Sequence, residues 1–195
     1  MITSPVKEDI TAVVLAGGQG RRVEEKDKGL IEFGGKTLVQ YVLDALMKQT
    51  NDIMIVANRN VETYRSFGFP VVSDRIEGFQ GPLAGLDAAF SVTGSSFLFC
   101  VPCDSPFISD DIMNRLINAA SGNNPIVVAC DGKRLHPVIS LVHRSVWPDI
   151  ESRLCEGRLK LMDWIEATGY DVADFSSCPE MLQNLNTMEQ IDSAH

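Results

Sequence analysis

Apolar residues fall into two rhythms along the first 120 positions. Unbroken apolar runs at 12–16, 53–56 and 97–101 have strand length and no polar alternation, the pattern of parallel strands buried on both faces. Leu38, Val39, Val42, Leu43 and Leu46 recur at helical spacing and predict an amphipathic helix over 38–49. A short apolar piece at 30–33 runs into a Gly34-Gly35 turn, a short helix is expected over 61–66, and a strand over 70–72. Pro82 suits the first turn of a helix. Asp110-Asp111 opens another, with its acids in the first turn.

The second half reads differently. Apolar runs at 126–130 and 135–142 flank Asp131-Gly132, the signal of a type I′ hairpin. Helices are expected over 145–156 and 159–168 and a strand over 170–175, and Thr187 with Gln190 reads as the capping box of a last helix. Strands alternating with helices predict an α/β fold: three αβα layers around a mainly parallel, Rossmann-like sheet, with an antiparallel excursion in the second half. No linker, repeat or low-complexity tract divides the chain, so residues 1–195 read as one domain, with 1–10 a short disordered lead-in. Ligands of such sheets bind outside the carboxyl ends of the strands. Gly17, Asp74 and Asp104 all fall at predicted carboxyl ends, which directs three separate stretches to one crevice.

Composition narrows the chemistry. The 195 residues carry a net charge of −9, which disfavours nucleic acid and anionic membranes as partners. Nothing approaches the apolar length of a transmembrane helix, and no signal peptide is read at the N-terminus. Five cysteines without a secretory signal fit reduced thiols and a cytoplasmic location. Cys100 and Cys103 have C-x-x-C spacing, but three steps along a strand separate Cα atoms by roughly 10 Å and point the side chains to opposite faces. The three histidines are too scattered for a histidine-based metal centre.

Within an acidic chain, the cations after Leu15-Ala16-Gly17-Gly18 stand out. Glycines expose backbone N–H groups, and Arg21, Arg22 and Lys28 follow. The dinucleotide fingerprint fails because Val23 occupies its third glycine position, and a P-loop ending at Gly35-Lys36-Thr37 fails because residue 30 is leucine. What remains is L-A-G-G-x-x-x-R followed by D-K. This pattern resembles the nucleotidyltransferase superfamily and, within it, the molybdenum cofactor guanylyltransferase (MobA) family. The resemblance runs nearly end to end through Leu15-Ala-Gly-Gly18, Asp27-Lys28-Gly29-Leu30, Ala57-Asn58-Arg59, Gly81-Pro-Leu-Ala-Gly85, Cys103-Asp104-Ser105-Pro106, His136-Pro137 and Asn184-Leu-Asn186.

The resemblance implies a single nucleotidyltransferase domain that transfers GMP from GTP to molybdopterin and uses Mg²⁺. It implies that Leu15, Ala16, Gly17 and Gly18 cradle the nucleotide, with Lys28 and Arg22 neutralising phosphates. Asp104 becomes the Mg²⁺ ligand, Asp74, Gly81 and Gly85 further nucleotide contacts, and Asn184 and Asn186 the molybdopterin side. Arg158 and Lys160 read equally as phosphate contacts or as a solvated helix face, and His136 more as a strand feature than as a catalyst. Other cofactor-assembly proteins and molybdoenzymes are compatible partners. Two departures stand out: Arg22-Val23-Glu24-Glu25-Lys26 where relatives usually read R-M-G, and Val56 where they often carry asparagine. A cytidylyltransferase acting on the same cofactor, another small-molecule nucleotidyltransferase, and a non-catalytic binder on the same fold stay open as alternatives.

Overall fold

The computed structural model describes residues 2, 4–16, 27–76, 78 and 81–185. In chain order its strands and helices are β1 (Ile10–Leu15), β2 (Glu32–Phe33), β3 (Lys36–Thr37), α1 (Leu38–Met47), β4 (Ile53–Val56), α2 (Val61–Arg65), β5 (Val71–Val72), α3 (Pro82–Val92), β6 (Phe97–Pro102), α4 (Ile112–Ala119), β7 (Ile126–Cys130), β8 (Leu135–His143), α5 (Trp147–Cys155), α6 (Leu161–Thr168) and β9 (Asp171–Asp174). Seven strands form one sheet in the order β5-β4-β1-β6-β8-β7-β9, and β2 and β3 form a separate small hairpin. Only β8 runs against its neighbours; β5, β4, β1 and β6 are mutually parallel, as are β7 and β9. The mainly parallel sheet with a late antiparallel excursion is therefore the observed architecture.

Alternation along β1 explains the three layers. Ile10, Ala12 and Val14 face the cluster that takes in Val39, Val42 and Leu46 of α1 and Ile112, Met113 and Leu116 of α4. Val13 faces the opposite cluster, which holds Leu83 and Phe90 of α3, Ile150 of α5 and Trp164 of α6. Cys100 and Cys103 belong to these two different clusters, on opposite faces of the sheet as strand geometry requires. Helix α1 starts where expected because the Gln40 side chain turns back to accept from the Thr37 N–H at 2.8 Å.

Several local expectations are corrected. Ile10 already belongs to β1, and the lead-in carries a 3₁₀ turn at Lys7–Asp9 with a buried Pro5. Asp9 fastens it by accepting from the Ser96 N–H at 2.8 Å, a long-range partner that no local pattern reveals. At α4 the acids stay outside the helix: Asp111 takes the N-cap position, and Asp110 pairs with Lys48 at 2.8 Å. The β7–β8 connection is not a type I′ turn, which needs two successive residues with positive φ. Only Gly132 has one, and the Asp131 carboxylate instead accepts from the Lys133 and Arg134 N–H groups, both at 2.9 Å. The capping box expected at Thr187 lies outside the described residues.

At the amino end of β1, the fully buried Thr11 hydroxyl lies 2.7 Å from Asp52 Oδ2 and 2.8 Å from both the Thr93 and Ser95 hydroxyls, tying β1 to the α1–β4 and α3–β6 connections. Thr11→Val keeps the shape and removes the shared partner. It should lower stability by about 1–3 kcal/mol in chemical denaturation, and an unchanged midpoint would discount this knot.

Candidate active site

The strand order reverses at β1: the chain proceeds from β1 to β4 and β5 on one side, then crosses to place β6 on the other. Such a switch point opens a crevice outside the carboxyl ends of the strands. There β1 ends at Leu15-Ala16, whose N–H groups and carbonyls are held by its neighbours: Ala16 N–H donates to Val56 O at 2.8 Å, and Leu15 O accepts from Cys103 N–H at 3.2 Å. Strand β6 delivers Asp104 beside them.

Asp104 is buried, with 8% of its surface exposed. Lys28 Nζ approaches its Oδ2 at 3.5 Å, while its Oδ1 is buried with no hydrogen-bond partner among the described residues. Burial pushes the carboxyl above the usual carboxylate range, and the Lys28 charge only partly opposes this. An ionisable oxygen out of water and without a donor is an incomplete arrangement, ready for a cation. The segment is further tied down where Leu185 N–H donates to Asp104 O at 2.9 Å and the Ser105 hydroxyl donates to Asn184 Oδ1 at 2.8 Å. Asn184 therefore does sit beside Asp104's loop, although its carbonyl is already engaged.

Asp74 lies at the same edge but three strand spacings from Asp104, about 14 Å between strand axes. Carboxylates on strands that far apart are not placed to share one ion. Asn58, at the end of β4, holds Asp74 from both sides: its amide N–H donates to Asp74 Oδ2 at 2.7 Å, and its carbonyl accepts from Asp74 N–H at 2.8 Å. Burial raises this carboxyl too, against the lowering effect of Asn58.

The two glycines before and within α3 differ. Gly81 has φ 74° and, among the described residues, nothing within 4 Å of where a Cβ would stand. Gly85 is buried, and a Cβ there would meet Leu15 Cδ2 at 2.7 Å. Its role in the fold is to let α3 close on the end of β1.

On the far side of β6, a pocket of about 330 Å³ is lined by Pro102, Arg134, His136, Pro137, Gln183 and Asn184 among others. It arises from a register jump: Val128 of β7 pairs with Ser140, but the next residue, Ala129, pairs with His136. Residues 137–139 are thus extra on β8, and Pro137, which has no N–H to donate, sits within the bulge. His136 Nε2 lies 2.9 Å from Asp131 Oδ2. Asp131 is held well below the usual carboxylate range, first by His136 and then by the Arg134 and Lys133 N–H groups, so it is an acceptor and Nε2 carries the proton.

Residues 12–172 match the family model of the MobA-like NTP transferase domain. The chain belongs to this family. It is 40% identical over 182 residues to the molybdenum cofactor guanylyltransferase of Shewanella putrefaciens, covering 93% of both chains. To the guanylyltransferase of Vibrio atlanticus it is 41% identical over 179 residues, covering 92% of each. Its fold is that of the molybdopterin-guanine dinucleotide biosynthesis protein A from Archaeoglobus fulgidus, with a TM-score of 0.79 at 18% identity, covering 94% of this chain and 96% of that one.

For a MobA-like transferase, the structure gathers Leu15, Ala16, Lys28, Asp74, Gly81, Asp104 and Asn184 along one sheet edge. Gly17, Gly18, Arg22 and Asn186 lie outside the described residues, as do Glu24 and Glu25. Arg158 and Lys160 instead make surface pairs with Glu156 and Asp163. Asn58 and the Asp131–His136 pair escaped the sequence reading as site features. Pro137 inside a predicted strand was the available signal for a bulge there.

The raised carboxyl of Asp104 has a consequence for stability. The folded protein holds that proton more tightly than the unfolded chain, so stability falls as pH rises from the ordinary value of 3.8 through the folded one. Asp104→Asn should melt higher than wild type at neutral pH, the difference shrinking as pH falls through that window. An equal or lower melting temperature at neutral pH would mean that the Lys28 pairing outweighs burial.

Proposed function

We propose that this protein transfers GMP from GTP to the terminal phosphate of molybdopterin, releasing pyrophosphate and forming a molybdopterin guanine dinucleotide. The observation that carries the proposal is the Lys28–Asp104 pair at the switch point, with one carboxylate oxygen buried and without a donor. The guanylyl substrate follows the names of relatives that are 40–41% identical over nearly the whole chain.

An oxygen of the acceptor's terminal phosphate forms a bond to the α-phosphorus of GTP as the bond to the departing pyrophosphate breaks. Such displacement asks a protein for alignment and charge neutralisation, with little covalent participation. Lys28 meets phosphate oxygens from one side, with Gly17, Gly18 and Arg22 completing the cradle after Ala16. Asp74, about 14 Å away across the strand axes, lies toward the nucleoside end. Gly81 leaves room for close approach there. The pocket at the start of β8 receives the acceptor, with Asn184 and His136 as polar contacts.

The residues fit a magnesium ion that arrives with the triphosphate. Among the described residues no group of three His, Cys, Asp or Glu could hold a metal alone, while Asp104 offers a partnerless oxygen. One carboxylate plus substrate phosphates and water is an ordinary magnesium environment. When bound, the ion supplies positive charge to the phosphate oxygens. An acidic chain with an odd number of cysteines fits the cytoplasm as the place of work. Among the described residues no helix is long and apolar enough to cross a membrane.

Calorimetry with GTP, CTP and ATP, with and without Mg²⁺, followed by pyrophosphate release on adding molybdopterin, tests the reading. Preferential binding of GTP with Mg²⁺ and release on acceptor addition are expected; absence of binding to every nucleotide, or preference for CTP, would overturn it. Lys28→Ala should lower kcat/KM by about one to two decades, and an unchanged value would remove the lysine from the mechanism.

A further inference from the structure

Lys28 is one of the longest and most flexible side chains in the site, so its aim depends on how firmly its backbone is held. Both of its neighbours in the chain are fixed by one buried side chain. Tyr64 is fully buried in α2, and its hydroxyl donates to Asp27 Oδ1 at 2.6 Å. The other oxygen, Asp27 Oδ2, accepts from the Asn60 amide at 3.1 Å. Asn60 is the non-glycine residue with positive φ, 50°, among the described residues, a conformation that turns the β4–α2 connection toward Asp27. On the other flank of Lys28, a Cβ at Gly29 would stand 2.5 Å from the same Tyr64 hydroxyl and 3.1 Å from Cys103 Cβ. Leu30 N–H closes the turn on Asp27 O at 3.0 Å. Burial, above all, keeps the phenol protonated, so it remains a donor.

We propose that Tyr64, assisted by Asn60, is a positioning residue for GMP transfer: by gripping Asp27 and abutting Gly29, it fixes the backbone that carries Lys28 to Asp104. The proposal rests on Lys28 serving the transfer. It also gives the β4–α2 connection two tasks two residues apart, since Asn58 holds Asp74 and Asn60 holds Asp27. Both halves of the proposed nucleotide site lean on that connection.

The test is a set of double-mutant cycles read by pyrophosphate release with GTP, Mg²⁺ and molybdopterin. Tyr64→Phe keeps the ring and deletes the hydroxyl; Asn60→Gly keeps the positive φ and deletes the amide. Each is made alone and with Lys28→Ala. In the presence of Lys28, Y64F should lower kcat/KM about 5–10-fold and N60G about 2–5-fold, less than the one to two decades expected when a hydrogen bond to a charged group is lost outright, because these side chains only aim the lysine. In the Lys28→Ala background neither should have a further effect, because the group they aim is gone. Equal losses in both backgrounds would mean a merely structural role and overturn the proposal, as would no loss beside an intact Lys28. Full activity of Lys28→Ala alone would instead refute the lysine's part in transfer, a separate failure read from the same set. Asn60 is exposed, so N60G decides the matter where Y64F does not fold.

Discussion

A carboxylate kept from water with only one of its oxygens answered is the constraint around which the rest of this structure is arranged. Leaving Asp104 in that state opposes stability, and the fold tolerates it because everything adjacent is rigid. Its strand, β6, is buried along its whole length, its carbonyl accepts from Leu185, and the next residue is locked to Asn184. Lys28 approaches without fully neutralising it. In the proposed transferase, a more comfortable carboxylate would have less to offer an incoming cation, so local instability there and the proposed chemistry share one origin.

Close packing accounts for two glycines beside the candidate site. Gly29 is flush with a tyrosine hydroxyl and Gly85 with the tip of Leu15. In both, a missing Cβ lets a structural element come close enough to set the position of its neighbour. Gly81, by contrast, faces open space. Residues of the same type in one conserved-looking stretch thus act on the site by different routes.

Much of the architecture was legible in the chain. Unbroken apolar runs marked β1, β4 and β6, and the spacing of Leu38 to Leu46 marked α1, because burial on two faces or on one stripe leaves a direct trace in residue order. The three strand ends leading to Gly17, Asp74 and Asp104 followed from the same logic, the first of them described as far as Ala16. What stayed hidden depends on partners distant in sequence. Tyr64 reads as a core residue until Asp27, 37 positions earlier, is found beneath its hydroxyl. Asp9 gave no hint of Ser96, nor Asn58 of Asp74 sixteen residues on. The Asp131 turn misled because Asp-Gly satisfies several turn geometries, and the choice was made by its carboxylate caps and by His136.

The bulge in β8 divides the sheet's duties. Pairing from Ser140 onward keeps β8 registered with both β6 and β7, and pairing resumes at His136, while residues 137–139 belong to neither ladder. Chain length can therefore change at this one point, by insertion or deletion, without sliding the strands on either side. Descendants of this scaffold could deepen or fill the cavity beside β6 and so change what it admits, while the crevice at the end of β1 continued unaltered.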